Sequence, residues 1–227
     1  MRGRRVAAIA FCVALVSCAP APREPPPDVR APSDFPERDY RQAAAAGQAV
    51  YRIDPRSSLL VIEVRRGGSL ARVGHDHVVA SRDVRGYVLP TAARADLYVP
   101  LSTLSVDEPA LRAAAHFDTT PSAGDIAGTR RNMLVRVLDA EHYPFARVKV
   151  LGADADHVEA EIALHGVTRI VRVPVQLATG RDRIGVSGAL MLRQTDFGIV
   201  PLSIFGGAVQ VQDALALHFK LQAQRVK

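Results

Sequence analysis

Apolar and polar residues alternate along several segments in the second half of the chain. In the segment HVEAEIAL (157–164), the side chains of Val158, Ala160, Ile162 and Leu164 fall on one side and mostly polar residues on the other. The same period of two recurs in LLVIEV (59–64), RIVRVPVQL (169–177), RIGVSGALML (183–192) and ALALHFKLQ (214–222). Alternation over short segments separated by turn residues is typical of antiparallel strands with one buried face. The pattern therefore predicts an all-β domain.

A sheet with one apolar face must close on itself or pack against a second sheet. About eight antiparallel strands close into a barrel wide enough to hold one small ligand. Periodicity alone leaves the barrel and the two-sheet sandwich both open. Pro174 lies inside one of the alternating segments and predicts an edge position or a bulge there, because proline donates no ladder hydrogen bond.

The middle of the chain has a different pattern. The segments DEPALRAAAHF (107–117) and AGDIAGTRRNMLVRVL (123–138) are helix-like, and apolar residues of the second follow near-helical spacing. Tyr143-Pro144 ends this stretch. We therefore expect strands, a short helical insert, and then more strands.

The N-terminus is typical of a secretory signal. A basic MRGRR precedes the apolar run VAAIAFCVALV, which is too short to span a bilayer as a helix. LVSC (15–18) then resembles the lipobox of bacterial lipoproteins, which implies cleavage before Cys18 and acylation of its sulfur. Ordinary cleavage after Ala21 is the alternative, but it would place Pro22 directly after the cut. We expect a periplasmic protein held by acylated Cys18 to a membrane, the outer membrane in our interpretation.

These features predict three regions: a signal peptide (1–17), a lipidated cysteine with a proline-rich tether (18–48), and a folded domain (49–227). The tether is rich in proline and cannot bury enough apolar area to offset its ordering. Of the two cysteines, Cys12 falls in the signal peptide and Cys18 becomes the terminus. The folded domain therefore has no thiol for disulfides or thiolate metal sites.

The formal net charge of +6 includes three arginines of the predicted signal peptide, at positions 2, 4 and 5. The balance that remains is too small to indicate nucleic-acid binding. No G-x-S-x-G motif is present, and we assign no catalytic residue and no cofactor.

Four segments of the domain resemble the YceI-like family in their order along the chain. They are YRID (51–54), LDAEHYPFARVKV (138–150), EIALHGVTRIVRVPV (161–175) and RQTDFGI (193–199), with LHGVTR and TDFGI the most specific. The resemblance implies an extended, lipocalin-like antiparallel barrel around an apolar channel. It also implies binding of a long amphiphile such as a polyisoprenoid or an isoprenoid quinone.

The residues themselves indicate that two of these motifs are structural. His165-Gly166 lies between two alternating runs and predicts a hairpin turn, and Asp196-Phe197-Gly198 predicts a strand end. The chain departs from the common family pattern at RVGHDHVVASRDVRG (72–86), where many members have a segment rich in phenylalanine and glycine. It resembles a histidine-bearing subgroup there.

Periodicity suggests which side chains would line such a channel, and the histidine segment suggests a polar opening. The channel candidates are Leu60, Ile62, Leu190, Leu192, Phe197, Phe205, Leu217 and Phe219, with the two phenylalanines Phe197 and Phe205 as caps. Arg72, His75 and His77 are the candidates for contact with a ligand head group. A neutral imidazole, with a pKa of about 6.5, donates a hydrogen bond to a ligand oxygen without a large burial penalty.

Two other functions stay open at this point. On a strand, His75 and His77 share one face and Asp76 points away, so the two imidazoles are also candidate ligands of a divalent metal. Further ligands would come from His116, Asp118 or His142 in the insert. The third interpretation is a structural envelope protein whose barrel is filled by its own side chains, and a homodimer is open in each case.

Overall fold

The structure, a computed structural model, describes residues 30–226, and of Phe205 only the backbone. The predicted signal peptide, Cys18 and the first part of the predicted tether lie outside the described residues. The helices are α1 (Glu37–Ala45), α2 (Pro109–Ala114) and α3 (Ala123–Asn132), and α3 continues into a π-helical turn, Met133–Val137. Single 3₁₀ turns are Pro55–Ser57, Ala71–Val73, Pro90–Ala92, Leu101–Thr103, Gln194–Phe197 and Phe205–Gly207.

Strands make up most of the domain. They are β1 (Tyr51–Ile53), β2 (Leu59–Val64), β3 (Arg66–Gly67), β4 (His77–Ser81), β5 (Arg85–Leu89), β6 (Arg94–Pro100), β7 (Ser105–Val106), β8 (Phe145–Ala153), β9 (His157–Leu164), β10 (Val167–Thr179), β11 (Arg183–Arg193), β12 (Ser203–Ile204), β13 (Val209–Val211) and β14 (Ala214–Arg225). Their pairings are antiparallel. The all-β prediction is confirmed.

Eight strands form a closed ring in the order β1-β5-β6-β8-β9-β10-β11-β14, and β14 returns to β1. This last pairing decides between the barrel and the sandwich, and it confirms the barrel. The same edge of β14 pairs with β1 through Tyr51–Ile53 and with β2 further along, so β2, β4 and β7 extend from the ring as a flap. The flap therefore extends the barrel wall beside residues 216–220 of β14, which β1 does not reach.

The two ends of the barrel follow from the strand directions. We call the end where β4 begins at His77, β11 ends at Arg193 and β14 begins at Ala214 the histidine end. The opposite end, where the β10–β11 connection turns at Gly180, is the Gly180 end.

The helical insert is confirmed and packs on the barrel beside the flap. α3 begins with a capping box, in which Ser122 and Asp125 exchange side-chain and backbone hydrogen bonds. Ile126, Met133 and Leu134 pack against the buried core cluster. Arg130 donates to the carbonyl oxygens of Leu104, at 3.1 Å, and Ser102, which fastens α3 to the segment after β6.

A small three-stranded sheet, β12-β13-β3, covers the histidine end. It joins two segments, 66–74 and 199–211, which together we call the cap. The N–H of Leu70 donates to the carbonyl of Ala208 at 2.7 Å, and β13 pairs with both β12 and β3. The cap is therefore one hydrogen-bonded unit.

Part of the segment assigned to the tether is folded. α1 lies against the outer wall of the barrel, where Tyr40 is 2% exposed and stacks on Tyr87. The Tyr40 hydroxyl donates to Asp96 at 2.7 Å, and burial together with that carboxylate raises the pKa of Tyr40. Residues 18–29 of the predicted tether lie outside the described part of the chain, and the boundary between tether and domain stays a prediction.

The turn motifs form as the residues predict. His165 and Gly166 both have positive φ, as a two-residue hairpin turn between β9 and β10 needs. Gly198 follows the 3₁₀ turn Gln194–Phe197 with φ 69° and ends it. Pro174 differs from the edge position, because β10 is an interior strand. The pairing of β10 with β9 ends at Pro174, and the pairing of β10 with β11 begins at Val175. The missing N–H of Pro174 therefore falls where β10 changes from one neighbouring strand to the other.

Among the described residues, no helix has the length and apolar character needed to cross a membrane.

Candidate binding cavity

The barrel encloses an elongated cavity of about 740 Å³. Its wall includes alternate residues of β11 from Ile184 to Leu192 and of β14 from Leu215 to Ala223. Each of these stretches advances by roughly 27 Å at about 3.4 Å per strand residue. A volume of this size falls within the usual range for small-molecule sites, about 300–1,000 Å³. The filled-barrel alternative does not fit this interior.

The candidate channel residues lie where periodicity places them. The cavity is lined by Leu60, Ile62, Leu190, Leu192, Phe197, Leu217 and Phe219. The side chain of Phe205 lies outside the described part of the chain. Contact of these residues with a ligand stays a prediction.

Other wall residues were missed from the sequence. β8, β9 and β10 contribute Val148, Val158 and Val173, and the insert contributes Met133 and Val137. Alternation in 157–164 and 169–177 carried the signal for Val158 and Val173. The insert residues had no such signal, because a helical stripe does not show whether it packs on a solid core or on a cavity.

Phe219 shapes the middle of the channel through a glycine on the neighbouring strand. Gly188 pairs with Phe219 across β11 and β14. A Cβ at Gly188 would lie 2.6 Å from Cζ of Phe219 and 2.4 Å from the carbonyl oxygen of Pro174. Glycine therefore leaves the space that the phenyl ring occupies along the wall, and it explains why Gly188 interrupts the apolar alternation.

His75 and His77 both line the cavity at the histidine end, and their ring centroids are 6.2 Å apart. Asp76 points away from them, as the strand geometry predicts, and accepts the backbone N–H of Arg66 at 2.8 Å. The Nδ1 atom of His75 is buried and has no hydrogen-bond partner among the described residues. His75 therefore presents an unsatisfied polar atom in a largely apolar site.

His77 is held by a buried carboxylate on a distant part of the chain. Its Nδ1 lies 2.6 Å from Oδ2 of Asp107, and Oδ1 of Asp107 accepts from the Val78 N–H at 3.0 Å and from Arg112 at 2.6 Å. Burial acts to raise the pKa of Asp107, but the bonds from His77, Val78 and Arg112 outweigh it and hold that pKa below its usual value. Asp107 is thus ionised and accepts the Nδ1 proton of His77.

That hydrogen bond decides what His77 offers the cavity. With the proton on Nδ1, the Nε2 atom of a neutral His77 is an acceptor, and it lies 3.4 Å from the Thr129 hydroxyl. Nε2 becomes a donor only when the ring is protonated. His77 therefore offers the cavity an acceptor, while the Nδ1 atom of His75 is buried without a partner among the described residues.

Arg72 lies at the histidine end but outside the cavity wall, and its contact with a ligand head group stays a prediction. It lies in the exposed 3₁₀ turn of the cap and is not among the residues that line the cavity. Arg65, Arg66 and Arg193 are the arginines at this end of the cavity wall. No local pattern distinguishes these three arginines from Arg72, because the fold of the cap decides which side chains face the cavity.

The additional metal ligands expected from the insert do not join the histidines. Asp118 accepts both of its hydrogen bonds from Arg66, at 2.9 and 3.0 Å, and His142 pairs with Asp139 at 2.8 Å. His116 lies in the turn after α2 with φ 54°. Within residues 30–226, no three or more His, Cys, Asp or Glu side chains are grouped so that they could hold a metal ion.

A closed eight-stranded antiparallel barrel around an elongated apolar cavity defines the lipocalin-like class of fold. The particular family follows from the sequence: the family model described as YceI-like domain matches residues 51–223, and the chain belongs to that family. No curated protein sequence matches the chain.

Two solved structures have a similar fold. A polyisoprenoid binding domain from Saccharophagus degradans, implicated in plant cell wall breakdown, aligns with a TM-score of 0.54 at 17% identity, covering 78% of this chain and 98% of that one. BcnA from Burkholderia cenocepacia aligns with a TM-score of 0.52 at 14% identity, covering 75% of this chain and 98% of that one. At such identities the similarity establishes the shared fold.

Proposed function

We propose that this protein binds and carries a long hydrophobic amphiphile, a polyisoprenoid or an isoprenoid quinone, in the cavity of its barrel. The observation that carries the proposal is the apolar interior that follows the length of β11 and β14. The polyisoprenoid binding domain of Saccharophagus degradans, which shares this fold, supports the same class of ligand.

The length of the ligand chain decides the energetics of such a complex. An aliphatic chain that buries roughly 400 Å² of apolar surface gains about 10 kcal/mol. Association and ordering oppose it by about 4–15 kcal/mol. A long chain is therefore favoured over a short one, because the gain increases with buried length while the loss of translational freedom does not.

The polar end of the ligand is proposed to lie against His75 and His77. His75, whose ring lines the cavity, donates to a carbonyl or phosphate oxygen when the ring turns Nδ1 toward the ligand, which gives that buried atom a partner. Neutral His77 accepts from a ligand hydroxyl through Nε2. A head group with both a hydroxyl and another oxygen would use both rings.

The location is proposed from the N-terminal sequence. LVSC (15–18) supports lipidation of Cys18, and hence a periplasmic protein held to a membrane, which we take to be the outer membrane. The action proposed is binding without catalysis, and the predominantly apolar wall supports it.

A matched pair of variants tests the cavity as the ligand site. Leu190 lines the cavity, whereas the next residue, Met191, is 63% exposed. We expect organic extraction of the purified protein to yield a long-chain amphiphile near one equivalent. Leu190→Trp should reduce that yield severalfold, because the indole fills part of the channel, and Met191→Trp should leave it unchanged.

Circular dichroism of both variants separates loss of ligand from loss of fold. Extraction that yields no lipid from the natural protein would contradict the proposal. Equimolar zinc, copper or iron that is lost on His77→Ala would favour the metal-binding alternative instead.

A further inference from the structure

The cap combines exposed apolar residues with positive charge. Four large hydrophobic residues are exposed on it, Leu70, Val73, Val200 and Ile204, and Val200 is 81% exposed. Isolated exposed apolar residues are common, but a group on one hydrogen-bonded unit is typical of an interaction surface. The cap is such a group.

The charge of this surface has one sign. From Arg65 to Gly74 the chain carries three arginines and no acidic residue, and 199–211 carries no charged residue. Arg65 and Arg66 pair with Glu63 and Asp118. Arg72 is exposed and has no ion pair within the described residues. It is thus available to an anionic surface.

The cap also adjoins the cavity. Ile204, Val209 and Val211 line the cavity from the cap, and Ile204 is at the same time 43% exposed. A surface that touches the cap at Ile204 is therefore close to the channel and to the histidine pair. The exposed surface of the cap and the cavity wall are therefore continuous.

The N-terminal segment leaves the barrel toward this same end. β1 begins at the Gly180 end, but α1 runs back along the outer wall. Asp34 pairs with Arg147 at 2.8 Å and Phe35 packs edge-on against Tyr98, with ring centroids 4.8 Å apart. Arg147 and Tyr98 are paired near the histidine ends of β8 and β6. The 16 peptide links from Cys18 to Asp34 span at most about 55 Å.

We propose that the cap is a membrane-docking surface, which rests on an anionic phospholipid leaflet with the histidine end of the cavity facing the lipid. Leu70, Val73, Val200 and Ile204 enter the interfacial region, and Arg72 contacts lipid phosphate. α1 fixes the orientation, because it returns the N-terminal segment to the docked side. The inference rests on the proposed function in that the membrane is the source or the acceptor of the amphiphile.

The chain contains no tryptophan, so a single introduced indole reports its own surroundings. Val73 in the cap is 63% exposed, and Ile170 on the outer face of β10 is 60% exposed. The full-length protein carrying Val73→Trp is mixed with vesicles of phosphatidylcholine and phosphatidylglycerol in equal amounts. The matched control is Ile170→Trp.

Docking by the cap predicts a shift of Val73→Trp emission to shorter wavelength and its quenching by brominated phosphatidylcholine. Ile170→Trp should show neither change, even if acylation holds the protein to the vesicle. Arg72→Gln in the Val73→Trp background should weaken docking about fivefold, and pure phosphatidylcholine should weaken it similarly.

Equal quenching at both positions, or none at Val73→Trp, would overturn the assignment. So would a blue shift without vesicles that rises with protein concentration, because the occupant would then be a second copy of the chain. Val73→Glu with Val200→Glu should abolish docking while the lipid extracted per protein stays unchanged. If organic extraction of the natural protein yields no lipid, that result contradicts the proposed function and leaves docking by the cap to be judged by the quenching alone.

Discussion

The two ends of the barrel satisfy their polar groups in opposite ways. At the histidine end, a buried network of Asp107, Arg112 and His77 stands behind the cavity wall, and the His75 Nδ1 atom stays without a partner. Toward the Gly180 end, the buried polar group Asp96 lies on the outer wall and bonds Tyr40 and Arg94 under α1. The buried bonds at the histidine end therefore lie beside the ligand space and hold His77 in the cavity wall, whereas those of Asp96 fasten a helix to the outside of the barrel.

The largest effect is expected from breaking the network at the histidine end. Asp107→Ala leaves Arg112, which is 7% exposed, as a buried charge without its carboxylate. Removing one partner of a buried pair destabilises by about 3–5 kcal/mol. Urea denaturation should show this loss. Asp118→Ala is the control, because its side chain is 68% exposed, and it should change stability by less than about 1 kcal/mol. Equal effects of the two variants would contradict the distinction.

A moderate effect is expected midway between the ends. Gly188→Ala places a methyl group against the Pro174 carbonyl and Phe219, so the strand or the ring must move. Overpacking of this kind destabilises by about 1–3 kcal/mol. Gly128→Ala in α3 has nothing within 4 Å of its new methyl and should stabilise by roughly 0.5–1 kcal/mol. Thermal unfolding of the two variants should therefore shift in opposite directions.

A smaller effect, on binding alone, is expected at His75. His75→Phe removes a hydrogen bond worth about 1 kcal/mol and should weaken affinity for the extracted amphiphile about fivefold. Stability should not fall, because Nδ1 of His75 has no partner among the described residues. Displacement of the bound amphiphile measures the affinity. A fall in stability with unchanged affinity would show that His75 serves the fold and not the ligand.

The smallest effect concerns a second histidine–carboxylate pair, which is exposed. The hydrogen bond that His142 donates to the Asp139 carboxylate raises the pKa of His142 above its ordinary value of 6.5. Stability from this pair is present in full below that value and is lost as the pH rises through the folded pKa. NMR titration should show the raised pKa in the natural protein and its return toward 6.5 in Asp139→Asn. Unfolding midpoints should barely change, because salt and water screen exposed pairs.

The strands were predictable because each carries its own signal. Val158, Ala160, Ile162 and Leu164 alternate within eight residues, and the hairpin at His165-Gly166 needs only its own backbone preferences. Closure of the ring was not predictable in this way. It depends on the pairing of Tyr51 with Arg225, two residues whose separation in sequence leaves no local trace.

The candidate site was predictable in its apolar part and only partly in its polar part. The shared face of His75 and His77 follows from strand geometry. Their support does not, because Asp107 lies 30 residues from His77 and reaches it through the pairing of β4 with β7. The exposure of Arg72 and the docking of α1 likewise depend on tertiary contacts that no local pattern encodes.

The helical insert makes one panel of the cavity wall unlike the rest. Strands are joined to their neighbours by ladders, but Thr129, Met133 and Val137 reach the cavity from an element held by side-chain packing and by the two bonds of Arg130. Displacing a strand would break several ladder bonds at once, whereas the insert can shift as a unit with its internal bonds intact. We therefore expect this side of the cavity to move first when a wider ligand enters, because a shift of the insert changes no strand register.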